Sequence, residues 1–81
     1  MMSPDQIYVA LRNQVLATLP ELTPEEVTPD ADMETLGANS LDRLDIITCT
    51  LEDINANVSM SRLAGTKSLD ELARIIHEHI G

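Results

Sequence analysis

The chain has 81 residues, which is enough for one small domain, and we expect residues 1–81 to form a single one. Fourteen acidic side chains against five basic ones give a formal net charge of −9, which opposes binding to nucleic acid or to an anionic membrane surface. This charge favours basic protein surfaces as partners. The sequence contains no Phe or Trp and a single Tyr, Tyr8. The core must therefore be aliphatic, which suits packed helices.

Cysteine content and apolar runs bear on the compartment. Cys49 is the single cysteine, so the chain cannot form an internal disulfide, and its mid-helix position predicts a half-buried structural thiol. No apolar run approaches the about 20 residues that a membrane span needs. Residues 1–8 contain no basic cluster followed by an apolar run, so we expect no targeting signal there. We expect a cytoplasmic monomer that binds no membrane.

The first predicted helix starts at residues 3–6, where Ser3 is a cap, Pro4 takes the first helical position and Gln6 the third. Apolar residues then recur every three or four positions up to Pro20, so they share one face of a helix. These residues are Ile7, Ala10, Leu11, Val15 and Leu19. We expect this face to lie in the core.

Residues 21–38 contain prolines, Thr and Gly breakers and several carboxylates, so they are too interrupted for a long helix and too polar for a buried strand. A loop of this length in a small domain needs to be held down. The apolar residues available for this are Leu22, Val27, Met33 and Leu36. We therefore predict a long first loop that is ordered but irregular.

A second helix is predicted from Asn39 and Ser40 to about Asn55, because Asn39 is a good N-cap and Asp42 favours the positive end of the helix dipole. The expected helical stripe is Leu41, Leu44, Ile47, Leu51 and Ile54. Ile46 lies off the centre of this stripe, so part of the helix is expected to be apolar for a partner and not only for the core.

The remaining residues predict a short helix over 59–64, stopped by Gly65, and a last helix that begins after Ser68. The buried stripe expected for the last helix is Leu69, Leu72, Ile76 and Ile80. The fold class is therefore all-α, a bundle of three longer helices and one short third helix with a long first loop.

Residues 37–42 place Ser40 where a loop enters an acidic helix, so its hydroxyl can be exposed and reached by another protein. A phosphodiester on Ser40 would carry its negative charge at a helix N-terminus, where backbone amides and the macrodipole favour an anion. Gly37 allows a sharp turn just before the site. On position alone, a serine here is more commonly a helix cap.

The segment 37–42 resembles the attachment motif of acyl carrier proteins, in which a serine at the start of the second helix receives 4′-phosphopantetheine. Ser40 matches that serine, and the resemblance extends over the whole chain, including residues 29–32 and 36–37. It implies an acyl-carrier-like four-helix bundle, a covalent 4′-phosphopantetheine on Ser40, and a carrier without catalytic residues of its own. Asn39 departs from the aspartate usual in the family, and so removes a charge that modifying enzymes often sense.

More narrowly, residues 37–43, 46–47, 50–53 and 63–67 resemble the free-standing carriers of polyketide β-branching cassettes. The resemblance implies a malonyl thioester that is decarboxylated to acetyl, which a hydroxymethylglutaryl-synthase-like enzyme then adds to a β-ketone on another carrier. The partners it implies are a phosphopantetheinyl transferase, an acyltransferase, a decarboxylase and that synthase.

Docking of these partners is expected on the solvent side of the second helix, through carboxylates with two leucines beside them. The predicted docking residues are Leu41, Asp42, Arg43, Leu44, Asp45, Glu52 and Asp53. Arg43 interrupts the acidic surface, and we interpret it as a selector against wrong partners.

Three other functions stay open at this point: a fatty-acid carrier, a peptidyl carrier, and an unmodified acidic helical adaptor. No metal site is predicted. Asp30, Asp32 and Glu34 begin like a calcium-binding EF-hand loop, but the glycine and glutamate needed further on are missing. His77 and His79 are two residues apart and face different sides of a helix, so they cannot share a metal ion.

Overall fold

The computed structural model describes residues 2–63, 65–66 and 68–80. Its α-helices are α1 (Pro4–Thr18), α2 (Ser40–Asp53), α3 (Met60–Leu63) and α4 (Leu69–Ile80), with a 3-10 helix at Pro24–Glu26. Within the described residues, the extended pairing consists of an isolated antiparallel bridge between Asp32 and Ser68. The predicted all-α class is confirmed, with three longer helices, a short third one and a long first loop.

Helix α1 begins as its sequence predicts. Ser3 Oγ accepts a hydrogen bond from the Gln6 amide at 3.2 Å, and Gln6 Oε1 accepts one from the Ser3 amide at 2.8 Å. This reciprocal pair satisfies two amides that have no partner inside the helix. The predicted apolar face is buried as well, at Ile7, Ala10, Leu11, Val15 and Leu19.

Helix α1 packs against both α4 and α2, and these contacts form the core. From α4 the buried residues are Leu69, Leu72, Ala73 and Ile76, while Ile80 at the end of the helix is only partly buried. Large aliphatic side chains from three helices thus exclude water from the centre, and burial of this kind is the main favourable term in folding.

The buried face of α2 differs from the predicted stripe. Its buried residues are Ile46, Ile47, Thr50 and Leu51, whereas Leu41 is 72% exposed and Leu44 is 45% exposed. The stripe was therefore wrong for both leucines, and Ile46 serves the core. Thr50 is tolerated there because its hydroxyl donates to the Ile46 carbonyl at 2.7 Å, which satisfies the buried polar group.

Cys49 lies on the exposed side of α2, and the expected half-buried thiol is a second correction for this helix. It follows from the same rotation of the buried face. Residues 46, 47, 50 and 51 point toward α1, so residue 49 must point away from it. After α2 ends, Asn55 has a positive φ of 56° and the Ala56 amide donates to the Leu51 carbonyl at 2.8 Å, which closes the helix.

The long first loop is ordered through apolar side chains and hydrogen bonds. Val27 and Met33 are buried, while Leu22 and Leu36 pack against the core and are partly buried. Tyr8 Oη donates to the Val27 carbonyl at 2.8 Å, so α1 holds the loop directly. The prediction of an ordered but irregular loop is confirmed.

The same loop completes the start of α4. The Leu69 amide donates to the Ala31 carbonyl at 3.0 Å, and the Asp70 amide donates to the Pro29 carbonyl at 2.8 Å. These amides lie in the first turn of the helix, where no intrahelical acceptor is available. Helix α3 is one turn long, Met60–Leu63, within the predicted range of 59–64, of which Ala64 lies outside the described residues.

Candidate functional site

Ser40 is the first residue of α2, and it is exposed. The cap of this helix is made by its neighbour: Asn39 Oδ1 accepts from the Asp42 amide at 2.8 Å, and Asp42 Oδ2 accepts from the Asn39 amide at 3.3 Å. Within the described part of the chain, the Ser40 hydroxyl makes no hydrogen bond. Asn39 thus performs the capping, which leaves Ser40 Oγ at the surface for other chemistry.

The turn before Ser40 fixes where the serine lies. Gly37 has a φ of 104°, a conformation that L side chains rarely adopt, although a Cβ there would meet nothing within 4 Å. Glycine is therefore required by the backbone and not by space. The next residue, Ala38, is buried and its amide donates to the Met33 carbonyl at 3.0 Å. An anchored residue two positions earlier holds Ser40 at the start of the helix.

Two cavities flank Ser40. One has a volume of about 320 Å³ and lies between α2 and α3, lined by Ser40, Arg43, Leu44, Ile47, Met60 and Leu63. The other, of about 340 Å³, lies on the loop side and is lined by Asp32, Glu34, Ala38, Asn39, Ser40 and Arg43. Four aliphatic or thioether side chains make the first cavity apolar, whereas the second contains carboxylate and amide groups. Ser40 and Arg43 border both.

Arg43 is partly buried, and its guanidinium points at the end of α3. Its Nη2 donates to the Leu63 carbonyl at 3.1 Å and also to the Thr66 carbonyl. Carbonyls at the end of a helix lack intrahelical partners, and a guanidinium offers several donors for them. The structure therefore gives Arg43 a contact within the molecule; its expected part in docking stays a prediction.

The other predicted docking residues share the solvent side of α2. We call this surface the outer face of α2, and it consists of Leu41, Asp42, Leu44, Asp45, Glu52 and Asp53. Asp42 is partly exposed and the other five are exposed. These positions lie outside the buried face of α2, so four carboxylates and two leucines are distributed over its solvent side from the first turn to the last. Leu44 lies at the edge of this surface and also lines the cavity toward α3.

Two of the acidic residues that resemble the start of a calcium-binding loop accept local hydrogen bonds. Asp32 Oδ1 accepts from the Glu34 amide at 2.9 Å, and Asp30 Oδ1 accepts from the Thr28 hydroxyl at 2.7 Å. In the described ranges, no group of three or more His, Cys, Asp or Glu residues is placed to hold a metal ion.

None of the helices in these ranges is long and apolar enough to cross a membrane.

Sequence reasoning missed the apolar cavity and the bond of Arg43 to α3. Both depend on residues about 20 positions apart, since Arg43 reaches acceptors 20 and 23 residues further along the chain. No local pattern reports such a pairing. The nearest signal was the arginine itself, a cation among the carboxylates of α2.

Comparison with known families gives a match over residues 11–76 to the family described as phosphopantetheine attachment site. Among curated proteins, the chain is 33% identical over 79 residues to a protein of Bacillus subtilis (strain 168) named polyketide biosynthesis acyl-carrier-protein AcpK. The alignment covers 98% of this chain and 96% of that protein. Among solved structures, none matches the chain significantly.

Proposed function

Because this chain belongs to the acyl carrier protein family, we propose that Ser40 is the residue that bears its 4′-phosphopantetheine. Membership implies a covalently attached 4′-phosphopantetheine and a carrier without catalytic activity of its own. The observation that supports Ser40 is the arrangement at the start of α2, where Asn39 makes the cap. The neighbouring Ser40 hydroxyl is exposed and makes no hydrogen bond to any residue that the structure describes. Residues 1–81 act as a single acyl carrier domain.

The surroundings of Ser40 fit a phosphodiester. The first amides of α2 and the helix macrodipole stabilise an anion at this end, so the negative charge is favoured where Ser40 Oγ would be esterified. The cavities on both sides leave space around the hydroxyl. When bound, the group supplies a terminal thiol that holds an acyl group as a thioester. Ser40 is then the anchor, and Gly37 and Asn39 keep it at the surface.

Polyketide biosynthesis is the pathway class that we propose for this carrier. The support is the relative named for polyketide biosynthesis, which is 33% identical over nearly the whole of both chains. Within this class, we propose that the cargo is malonyl and then acetyl, and that the carrier donates acetyl to a hydroxymethylglutaryl-synthase-like enzyme of β-branching. Residues 37–43 and 63–67, which resemble the carriers of such cassettes, motivate this finer assignment.

The outer face of α2 is the docking surface in this proposal. Asp42 and Asp45 lie within the first two turns after Ser40, and Glu52 and Asp53 extend the acidic surface to the other end of α2. In a chain of net charge −9, these carboxylates attract basic surfaces and orient them along the helix that bears the anchor. Leu41 and Leu44 supply exposed apolar contacts at the same place. The proposed partners are the phosphopantetheinyl transferase, an acyltransferase, a decarboxylase and the synthase. Tethering raises the effective concentration of the cargo at each of them.

Attachment is tested by incubating the purified chain with coenzyme A, Mg²⁺ and a broad-specificity phosphopantetheinyl transferase, followed by intact mass measurement. The expected result is a gain of one phosphopantetheine for the native chain and no gain for Ser40→Ala. Ser61→Ala, which removes an exposed serine in α3, is the matched control and should gain the full mass. A native chain that gains no mass contradicts the proposal.

The acetyl-donor role is tested separately, with acetyl loaded on the phosphopantetheine group of Ser40, here called the arm. A cognate hydroxymethylglutaryl-synthase-like enzyme should withdraw acetyl faster from this carrier than from a fatty-acid carrier loaded in the same way. Equal rates from the two carriers would contradict the β-branching assignment and leave the attachment site standing.

A further inference from the structure

We propose that Arg43 is a positioning residue that holds α3 against α2, and that it thereby limits the length of acyl chain that the cavity beside Ser40 admits. The inference rests on the proposed attachment of the arm to Ser40. It concerns the apolar cavity of about 320 Å³ between α2 and α3.

The cavity is suited to an apolar group tethered nearby. Leu44 and Ile47 line it from α2, and Met60 and Leu63 line it from α3. Ser40 stands at its border, so an arm anchored there can fold back and place its cargo against these side chains. Removal of aliphatic surface from water is favourable, and the gain grows with the area of cargo that is covered.

The α3 wall of this cavity has little support of its own. A helix of one turn is too short to be stable by its own hydrogen bonds, so its position depends on outside contacts. Helix α3 contacts α4, and the side chain of Leu63 is fully buried in the hydrophobic core. Toward α2, the hydrogen bonds described for residues 57–63 and 65–66 come from the guanidinium of Arg43.

Leu63 connects this hydrogen bond to the cavity. Its side chain forms part of the wall, while its carbonyl oxygen accepts from Arg43 Nη2 at 3.1 Å. The Thr66 carbonyl, three residues further on, accepts from the same atom. An outward movement of α3 beyond the reach of the arginine side chain must therefore lengthen or break these bonds.

A limit on chain length follows. A short acyl group enters the space that already exists, whereas a longer one requires α3 to move and the partly buried guanidinium to lose its carbonyl partners. Hydrogen bonds that involve a charged donor are among the stronger ones, and a donor deprived of its acceptor bears a desolvation penalty. Arg43 thus opposes long cargo without touching the thioester.

The test uses a series of acyl forms from acetyl to decanoyl in two-carbon steps, each loaded on Ser40 by transfer from its acyl-coenzyme A and checked by intact mass. The measured quantity is the melting temperature of each acyl form minus that of the thiol form. In the native chain this difference should rise with chain length and then stop rising. We call the acyl chain length at which the rise ends the stopping point. In Arg43→Met the rise should continue for at least one further step.

A purely structural role for Arg43 predicts a different result, in which all forms of Arg43→Met melt lower by the same amount and the stopping point is unchanged. That result overturns the proposal, as does a native series that rises without a stop through decanoyl. The matched control is Arg62→Met, which removes an exposed arginine of α3 outside the cavity and should leave the stopping point unchanged.

If Arg43→Met does not fold, Arg43→Lys decides the matter. Lysine keeps the charge but not the planar arrangement of donors, so the stopping point should still move to longer chains, and an unchanged one overturns the inference. A native chain that accepts no arm overturns the proposed function and this inference together. A loaded chain with an unmoved stopping point overturns the inference alone.

Discussion

Two regions of the molecule are stabilised by different interactions. The first region is the packing of α1 against α4, and the second is the contact of α3 with α2. The first uses long helices whose fully buried aliphatic side chains meet across a broad contact. The second combines a helix of one turn, an apolar cavity and the hydrogen bonds of Arg43. The packing of the long helices thus stabilises the domain, and the end of the bundle that bears Ser40 can keep a cavity without unfolding it.

The largest loss of stability is expected from a substitution in the first region. Leu72→Ala removes a fully buried side chain at the centre of the core, and the cavity left behind should lower the free energy of unfolding by about 2–5 kcal/mol. Leu41→Ala is the matched control, because the same atoms are removed from a side chain that is 72% exposed, and it should cost less than about 0.5 kcal/mol. Urea unfolding measures both, and equal losses would contradict the assignment of the core.

A smaller loss is expected at the second region. Arg43→Met removes the hydrogen bonds to the Leu63 and Thr66 carbonyls, and for a partly buried donor we expect a loss of about 1–3 kcal/mol in the free energy of unfolding. Amide hydrogen exchange should quicken in α3 and remain slow in α1. Faster exchange spread evenly over both helices would contradict the separation of the two regions.

The cap of α2 should contribute less again. Asn39→Ala removes the acceptor of the Asp42 amide and should lower the free energy of unfolding by about 0.5–2 kcal/mol. Asn39→Asp is the informative partner variant, since it keeps the cap and adds the charge usual in the family. It should retain the native stability while changing the rate at which a phosphopantetheinyl transferase modifies Ser40. A loss of stability in Asn39→Asp equal to that in Asn39→Ala would contradict the capping role.

The smallest effect on stability belongs to the outer face of α2. Asp45→Lys should change the free energy of unfolding by less than about 0.5 kcal/mol, because the side chain is exposed. It should nevertheless weaken binding of a basic transferase by roughly tenfold at low salt, and the difference should shrink as salt is added. Glu78→Lys makes the same change in net charge on α4 and is the control. An equal weakening by both variants would indicate net charge and not this surface.

The two regions also differ in how far the sequence predicts them. Helix α1 was predicted with its cap and its buried face, because Ser3, Gln6 and the apolar repeat are all local signals. The position of Ser40 at the start of α2 followed from Asn39 and Asp42 in the same way. Residues close to a helix start are enough to predict that start when their side chains cap its first turn.

The buried face of α2 was less predictable, because the helix carries two overlapping apolar stripes. One runs through Leu41 and Leu44, and the other through Ile46 and Thr50. The neighbour α1 decides which is covered, and periodicity alone does not contain that information. Thr50 looked polar in sequence, yet its hydroxyl is satisfied within the helix. Cys49 was misplaced for the same reason.

Hydrogen bonds to backbone carbonyls that are distant in sequence could not be predicted from local sequence patterns. The Ala31 and Pro29 carbonyls accept hydrogen bonds from the first amides of α4. The Arg43 side chain reaches one carbonyl at the end of α3 and one three residues further on. Backbone acceptors have no residue-specific signature, so only the folded arrangement identifies them. The apolar cavity likewise arises from two helices that meet only in the tertiary structure.

Attachment at Ser40 is tested most directly by locating the modification within the chain. After treatment with coenzyme A and a phosphopantetheinyl transferase, the protein is digested and the peptides are fragmented in a mass spectrometer. The phosphopantetheine should be found on Ser40 alone, with Ser59, Ser61 and Ser68 unmodified and Cys49 free. Its presence on another residue, or a fully modified Ser40→Ala variant, would contradict the account.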